Sequence, residues 1–75
     1  MTPADQENLR RYLVACRHDI AHKRGWTDAD NEAWAQTHLV EAIDRYLVAY
    51  REALDQGSEA SAEAAFAAIK TWAQA

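Results

Sequence analysis

Apolar positions recur along this chain at helical spacing, not at strand spacing. Leu9, Tyr12, Leu13, Cys16 and Ile20 gather on one side of a helix. Ahead of them, Thr2-Pro3-Ala4-Asp5 has the form of a helix opening. A threonine caps, proline takes the first helical position where its missing N–H costs nothing, and a carboxylate follows three residues after the cap. His22, Lys23 and Arg24 suit the negative end of the helix dipole, and Gly25 can adopt the left-handed closing conformation. These signals predict a first helix over about residues 3–24.

Thr27-Asp28-Ala29-Asp30 repeats the cap pattern, and helical periodicity then runs to about Gln56, where Gly57 stops it. Leu39, Ile43, Tyr46, Leu47, Tyr50 and Leu54 form the stripe of this second segment. Near Thr37 two arrangements fit: one continuous helix, or a break that leaves a short helix around Trp34. Ser58 then caps a third helix over about residues 59–74, with Ala62, Ala65, Phe66, Ile69, Trp72 and Ala73 on one face. No strand-like alternation and no internal repeat is present. The short connections at Gly25 and Gly57 imply antiparallel neighbours. The expected fold is all-α, a three-helix antiparallel bundle forming one domain over residues 1–75. Its predicted core is Leu13, Cys16, Ile20, Leu39, Ile43, Leu47, Tyr50, Phe66 and Ile69.

Composition makes this core thin. Hydrophobic residues are 49% of the 75, but 17 of them are alanine, and only 20 are larger. A small domain with so little to bury gains stability from a second copy or a partner. Self-association or a protein partner is therefore expected.

The net charge of -4 argues against simple phosphate-driven binding to nucleic acid. Its distribution is uneven: residues 1–25 carry five basic and three acidic side chains, and residues 26–57 carry two basic and seven acidic. The first helix is the basic element and the second the acidic one, so the two attract each other. Cys16 is the only cysteine, which permits no internal disulfide and fits a reducing compartment. Residues 1–7 have neither the basic nor the apolar part of a signal peptide, and no apolar run is long enough for a bilayer. A cytoplasmic protein with no membrane contact is expected.

Arg17-His18-Asp19-Ile20-Ala21-His22 is the densest polar cluster. His18 and His22 are four residues apart, a chelating spacing on one helical face. His38 is the only other histidine, and the sequence offers no obvious third ligand. Solvent-facing histidines, with no metal and no cofactor, are the expectation.

Arg17 and His22 are separated by four residues, with a polar residue after the arginine and Ile20 and Ala21 before the histidine. A short basic turn, Lys23-Arg24-Gly25, and a long amphipathic helix follow. This pattern resembles the signature of HEPN-type domains. The resemblance implies metal-independent cleavage of RNA by a dimer. His22 would transfer the proton and Arg17 would stabilise charge on the phosphate, with His18 as an accessory polar residue. On a straight helix Arg17 and His22 lie about 140° apart, so they meet only across a dimer axis or through a local distortion.

A second candidate site lies on the acidic segment. If that helix is continuous, Trp34 shares the side away from the main stripe with Glu41, Asp44, Val48, Glu52 and Asp55. A tryptophan and a valine among carboxylates suit a binding face. If the helix breaks, Trp34 returns to the core. Cys16 sits mid-stripe and reads as a small buried hydrophobe. The leading functional expectation is a small acidic helical interaction protein that binds a protein partner or itself. Small regulators and phage- or plasmid-borne inhibitors share this profile. The alternative is a minimal HEPN-like ribonuclease or an inactive relative.

Overall fold

A computed structural model describes all residues from Met1 to Ala75. It is all-helical and has four helices where three were expected: α1 (Pro3–Lys23), α2 (Asp28–Thr37), α3 (Leu39–Asp55) and α4 (Ser61–Ala73). No helix is long and apolar enough to cross a membrane.

The first two helices begin as the sequence dictates. At Thr2 and again at Thr27 the side chain accepts from the backbone N–H three residues on, and the aspartate there accepts from the cap's own N–H. These reciprocal boxes satisfy two otherwise orphaned donors at each start. Gly25 closes α1 at φ 78°, and the Trp26 N–H reaches back to the Ala21 carbonyl at 2.9 Å. Gly57, at φ 76°, closes α3 in the same way, with Ser58 N–H bonded to Ala53 O at 2.9 Å. Both follow the left-handed closing pattern. Ser58 does not cap α4, which starts at Ser61. Its hydroxyl instead accepts from Ala60 N–H within the turn, while the Ser61 hydroxyl donates to Ser58 O.

The extra helix arises at His38. This residue ends α2 and begins α3 at φ -98°, ψ 7°, and no side chain caps the new start. No glycine or proline lies there, so local propensity does not cause the break. Tertiary packing does: the turn carries Trp34 inward, where its ring meets those of His38 at 4.7 Å and Trp72 at 5.9 Å.

The core is built mainly from small residues. Leu9, Leu13 and Ile69 are fully buried, and the other buried apolar residues are the alanines 21, 35, 42, 53, 65 and 73. Tyr12, Ile43, Tyr46, Phe66 and Trp72 pack around them while half-buried. On α1 the innermost row is Leu9, Leu13, Arg17 and Ala21, each four residues from the last. That row displaces Cys16 and Ile20, expected in the core, to half-buried positions.

Helices α3 and α4 form a close hairpin. The buried face of α3 is Ala42 and Ala53, and that of α4 includes Ala65 and Ile69. Alanines allow two helices to approach closely, and of the larger α3 side chains Tyr46 joins the contact at its edge, against Phe66. Leu47 and Tyr50, expected in the core, are consequently exposed. The molecule is elongated, 42 × 24 × 15 Å. Its radius of gyration of 12.9 Å exceeds the roughly 11 Å typical of a compact chain of this length.

Candidate functional site

Four of the exposed large apolar residues line the outer face of α3. Val40, Ile43, Leu47, Tyr50 and Leu54 follow one another at spacings of three, four, three and four residues. At 100° per residue they occupy an arc of about 80°, next to the alanine face that meets α4. Leu47 and Leu54 are 48% and 47% exposed and Val40 is 72% exposed. Along one edge, Tyr46 ties the stripe to the core. Its ring stacks on Tyr50 at 6.1 Å and meets Phe66 edge-on at 5.2 Å, while Phe66 in turn meets Tyr12 at 5.0 Å. Burial raises the phenol pKa of both Tyr12 and Tyr46 above its ordinary value.

A groove of about 410 Å³ opens beside the stripe. Leu9 and Met1 form one wall, Tyr46, Leu47 and Tyr50 the other, with Phe66 also lining it and Asp5 and Asn8 at its polar rim. An apolar cleft with a few polar groups at its edge is suited to receiving side chains of a partner.

Charged groups border the far side of the stripe. Arg51 pairs with Asp55 at 3.2 Å and Arg45 with Glu41 at 3.0 Å, both exposed pairs one turn apart. Such pairs are weak and exchange readily. Asp44, on the same flank as Arg51, has no ion-pair partner within the chain.

The four-residue face expected from a continuous second helix does not form. Glu41, Asp44 and Val48 are exposed on α3, but Trp34 belongs to α2 and is half-buried against the core. The Arg17 guanidinium lies 4.2 Å from the centre of the Trp34 ring and 5.6 Å from that of Trp26.

Arg17 and His22, which the HEPN resemblance pairs, engage different partners. Arg17 is 5% exposed, and its Nη1 donates to Ala73 O at 2.8 Å. Burial, with a smaller contribution from Arg24, lowers its pKa from the usual arginine value. His22 is exposed at the end of α1, where Nε2 lies 3.0 Å from Asp28 Oδ1 and the ring lies 4.1 Å from that of His18. A guanidinium enclosed by Trp34 and Ala73 O offers little to a phosphate arriving from solvent. Cys16 is half-buried, and burial pushes its thiol pKa up, away from the reactive thiolate.

The open α3 stripe is the feature that reading the sequence missed. Periodicity places Ile43, Leu47, Tyr50 and Leu54 on one stripe and assigns the first three of them to the core, and it leaves Val40 out of both. Comparison of the chain with protein-family models, curated proteins and solved structures finds no match.

Proposed function

We propose that this protein is a non-catalytic helical interaction module that self-associates through the outer face of α3. The observation that carries this reading is the exposed row Val40, Leu47, Tyr50 and Leu54, with half-buried Ile43 at its base. Alternating steps of three and four residues are the pattern by which two helices interlock along a seam. The row is about 21 Å long at 1.5 Å per residue, and the groove beside Leu47 extends it toward α1.

Charge favours a second copy in antiparallel orientation. Asp44 and Arg51 are seven residues apart on one flank of the seam. A two-fold axis through the contact sets Asp44 of one copy against Arg51 of the other, twice. A parallel alignment would instead face Arg51 with Tyr46 and gain no pair. The carboxylates elsewhere on α3 leave such a dimer soluble. The protein then acts by binding, as small regulators and inhibitors do. The ribonuclease reading draws less support, because it requires an accessible Arg17.

Sedimentation equilibrium between about 1 and 200 µM tests this reading. The parent should form a dimer, and Leu47→Glu with Leu54→Glu should be monomeric with unchanged helicity. Asp44→Arg should weaken the dimer, and adding Arg51→Asp should restore it. A monomeric parent throughout that range would overturn the proposal. So would a dimer indifferent to both leucine replacements.

A further inference from the structure

We infer that His18, His22 and Asp28 form a binding site for a divalent transition-metal ion. The two histidines are one helical turn apart at the end of α1, and their rings lie 4.1 Å apart. Asp28 is the first residue of α2, and the Gly25 turn brings it back over that same face. One ligand atom from each of the three residues lies within 4.8 Å of the others, and His22 Nε2 and Asp28 Oδ1 are only 3.0 Å apart. Bonds of about 2.0–2.2 Å to one ion place neighbouring ligands roughly 3–3.5 Å apart. Small rotations of exposed side chains close the remaining gap.

The donor set selects the class of ion. Two imidazoles and one carboxylate suit zinc, nickel or copper(II), and not calcium or magnesium, which favour oxygen ligands. The surroundings are also suitable. His18 Nδ1 lies 3.4 Å from Asp19 Oδ1, an outer carboxylate of the kind that orients a ligating imidazole. Three protein ligands leave at least one coordination position to water, so exchange should be easy and affinity moderate.

Such a site would have a structural consequence. Its ligands come from both sides of the α1–α2 turn, so an ion held there joins two helices that the chain connects only through residues 24–27. Unfolding separates Asp28 from the histidine pair, and the folded state binds the ion better. Metal binding therefore raises the melting temperature. The site lies away from the α3 seam, and its test is independent of self-association.

The experiment is calorimetric titration of the full chain with zinc chloride in a non-coordinating buffer, together with thermal melts in zinc and in chelator. The expected result is one ion per chain, saturated by roughly 100 µM free zinc, and a higher melting temperature that chelator reverses. His18→Ala and Asp28→Asn should each weaken binding at least about tenfold and abolish the shift. All three side chains are exposed, so these variants should melt like the parent without metal. His38→Ala, which alters the one histidine outside the site, should bind as the parent does. Absence of binding to the parent would overturn the inference. Equal binding by His18→Ala and Asp28→Asn would overturn it as well, by placing the ion elsewhere.

Discussion

The Arg17 guanidinium donates a 2.8 Å hydrogen bond to the carbonyl of Ala73, 56 residues away. Ala73 is the last residue of α4, and its carbonyl belongs to the group that a helix leaves without intrahelical partners. A cation is favourable there because the helix dipole is negative at that end. The ring of Trp34, 4.2 Å away, covers the guanidinium on another side. Arg17 thus acts as a long-range cap that ties α1, α2 and α4 together.

Removing this cap should be costly. A hydrogen bond from a charged donor contributes about 1.5–3 kcal/mol, and a desolvated cation–π contact about 1–2 kcal/mol. Arg17→Ala should therefore lose roughly 2.5–5 kcal/mol of the ~4–11 kcal/mol available to a chain this long. Arg17→Lys should lose less, since it keeps the charge but not the flat stacking surface. Urea denaturation of both variants checks this. An Arg17→Ala protein within about 0.5 kcal/mol of the parent would contradict the capping role.

Two apolar residues that read alike in the sequence should behave differently. Ile69 is fully buried, and Ile69→Ala should cost about 2–5 kcal/mol. Leu47 is half-exposed, and Leu47→Ala should cost under about 1 kcal/mol when measured at dilution, where self-association is absent. Equal losses would show that Leu47 belongs to the core after all.

The alanine contact between α3 and α4 makes a third prediction. Ala42 and Ala65 are fully buried, so a larger side chain at either must displace its neighbours. Ala42→Leu or Ala65→Leu should destabilise by about 1–3 kcal/mol despite adding apolar surface. A more stable variant would mean that the contact is loose.

Acid should weaken the fold. Glu7 is held at a pKa of about 2 chiefly by its hydrogen bond from Arg10, and Asp5, Asp28 and Asp30 are lowered by their partners at Thr2, His22 and Thr27. Each carboxylate is a stronger acid in the folded chain than in the unfolded one. The unfolded chain therefore takes up more protons as pH falls, and stability declines with it. The decline should begin near the ordinary glutamate value of 4.5 and, for Glu7, continue toward about 2. Urea midpoints across that range should fall, and Glu7→Gln should flatten the slope. A constant midpoint would contradict these shifts.

An interaction module should not cleave RNA. Incubated with RNA and chelator, the parent should leave it intact. Cleavage that His22→Ala abolishes without loss of helicity would instead favour the ribonuclease reading. His22 is the informative position because it is exposed, whereas Arg17→Ala disturbs the fold itself.

Features encoded within a few residues were legible in the sequence. The boxes at Thr2 and Thr27 span three residues, and the stops at Gly25 and Gly57 need only a left-handed backbone. The first helix was read to about residue 24 and ends at Lys23. The break at His38 was visible only as one of two arrangements, because no glycine or proline marks it. What selects it is the packing of Trp34 against Arg17 and Trp72, which lie far off in the chain. The candidate sites were less legible for the same reason. Asp28 joins His18 and His22 only because the turn at Gly25 reverses the chain, and a search along one helix face cannot find it.

By itself the sequence determined that the chain is helical, where three of its helices begin or end, and that α3 carries an apolar stripe. Tertiary structure decided which faces meet. An amphipathic stripe states only that it gains by leaving water, not what will cover it. On α3 two faces competed, one of alanines and one of large side chains. The alanines took the centre of the contact with α4, since close helix approach favours small residues, with Tyr46 at its edge against Phe66, while Leu47, Tyr50 and Leu54 remained outside. Arg17 shows the converse: a charge that the sequence assigns to solvent is buried, because only the folded chain brings it a carbonyl and an aromatic face.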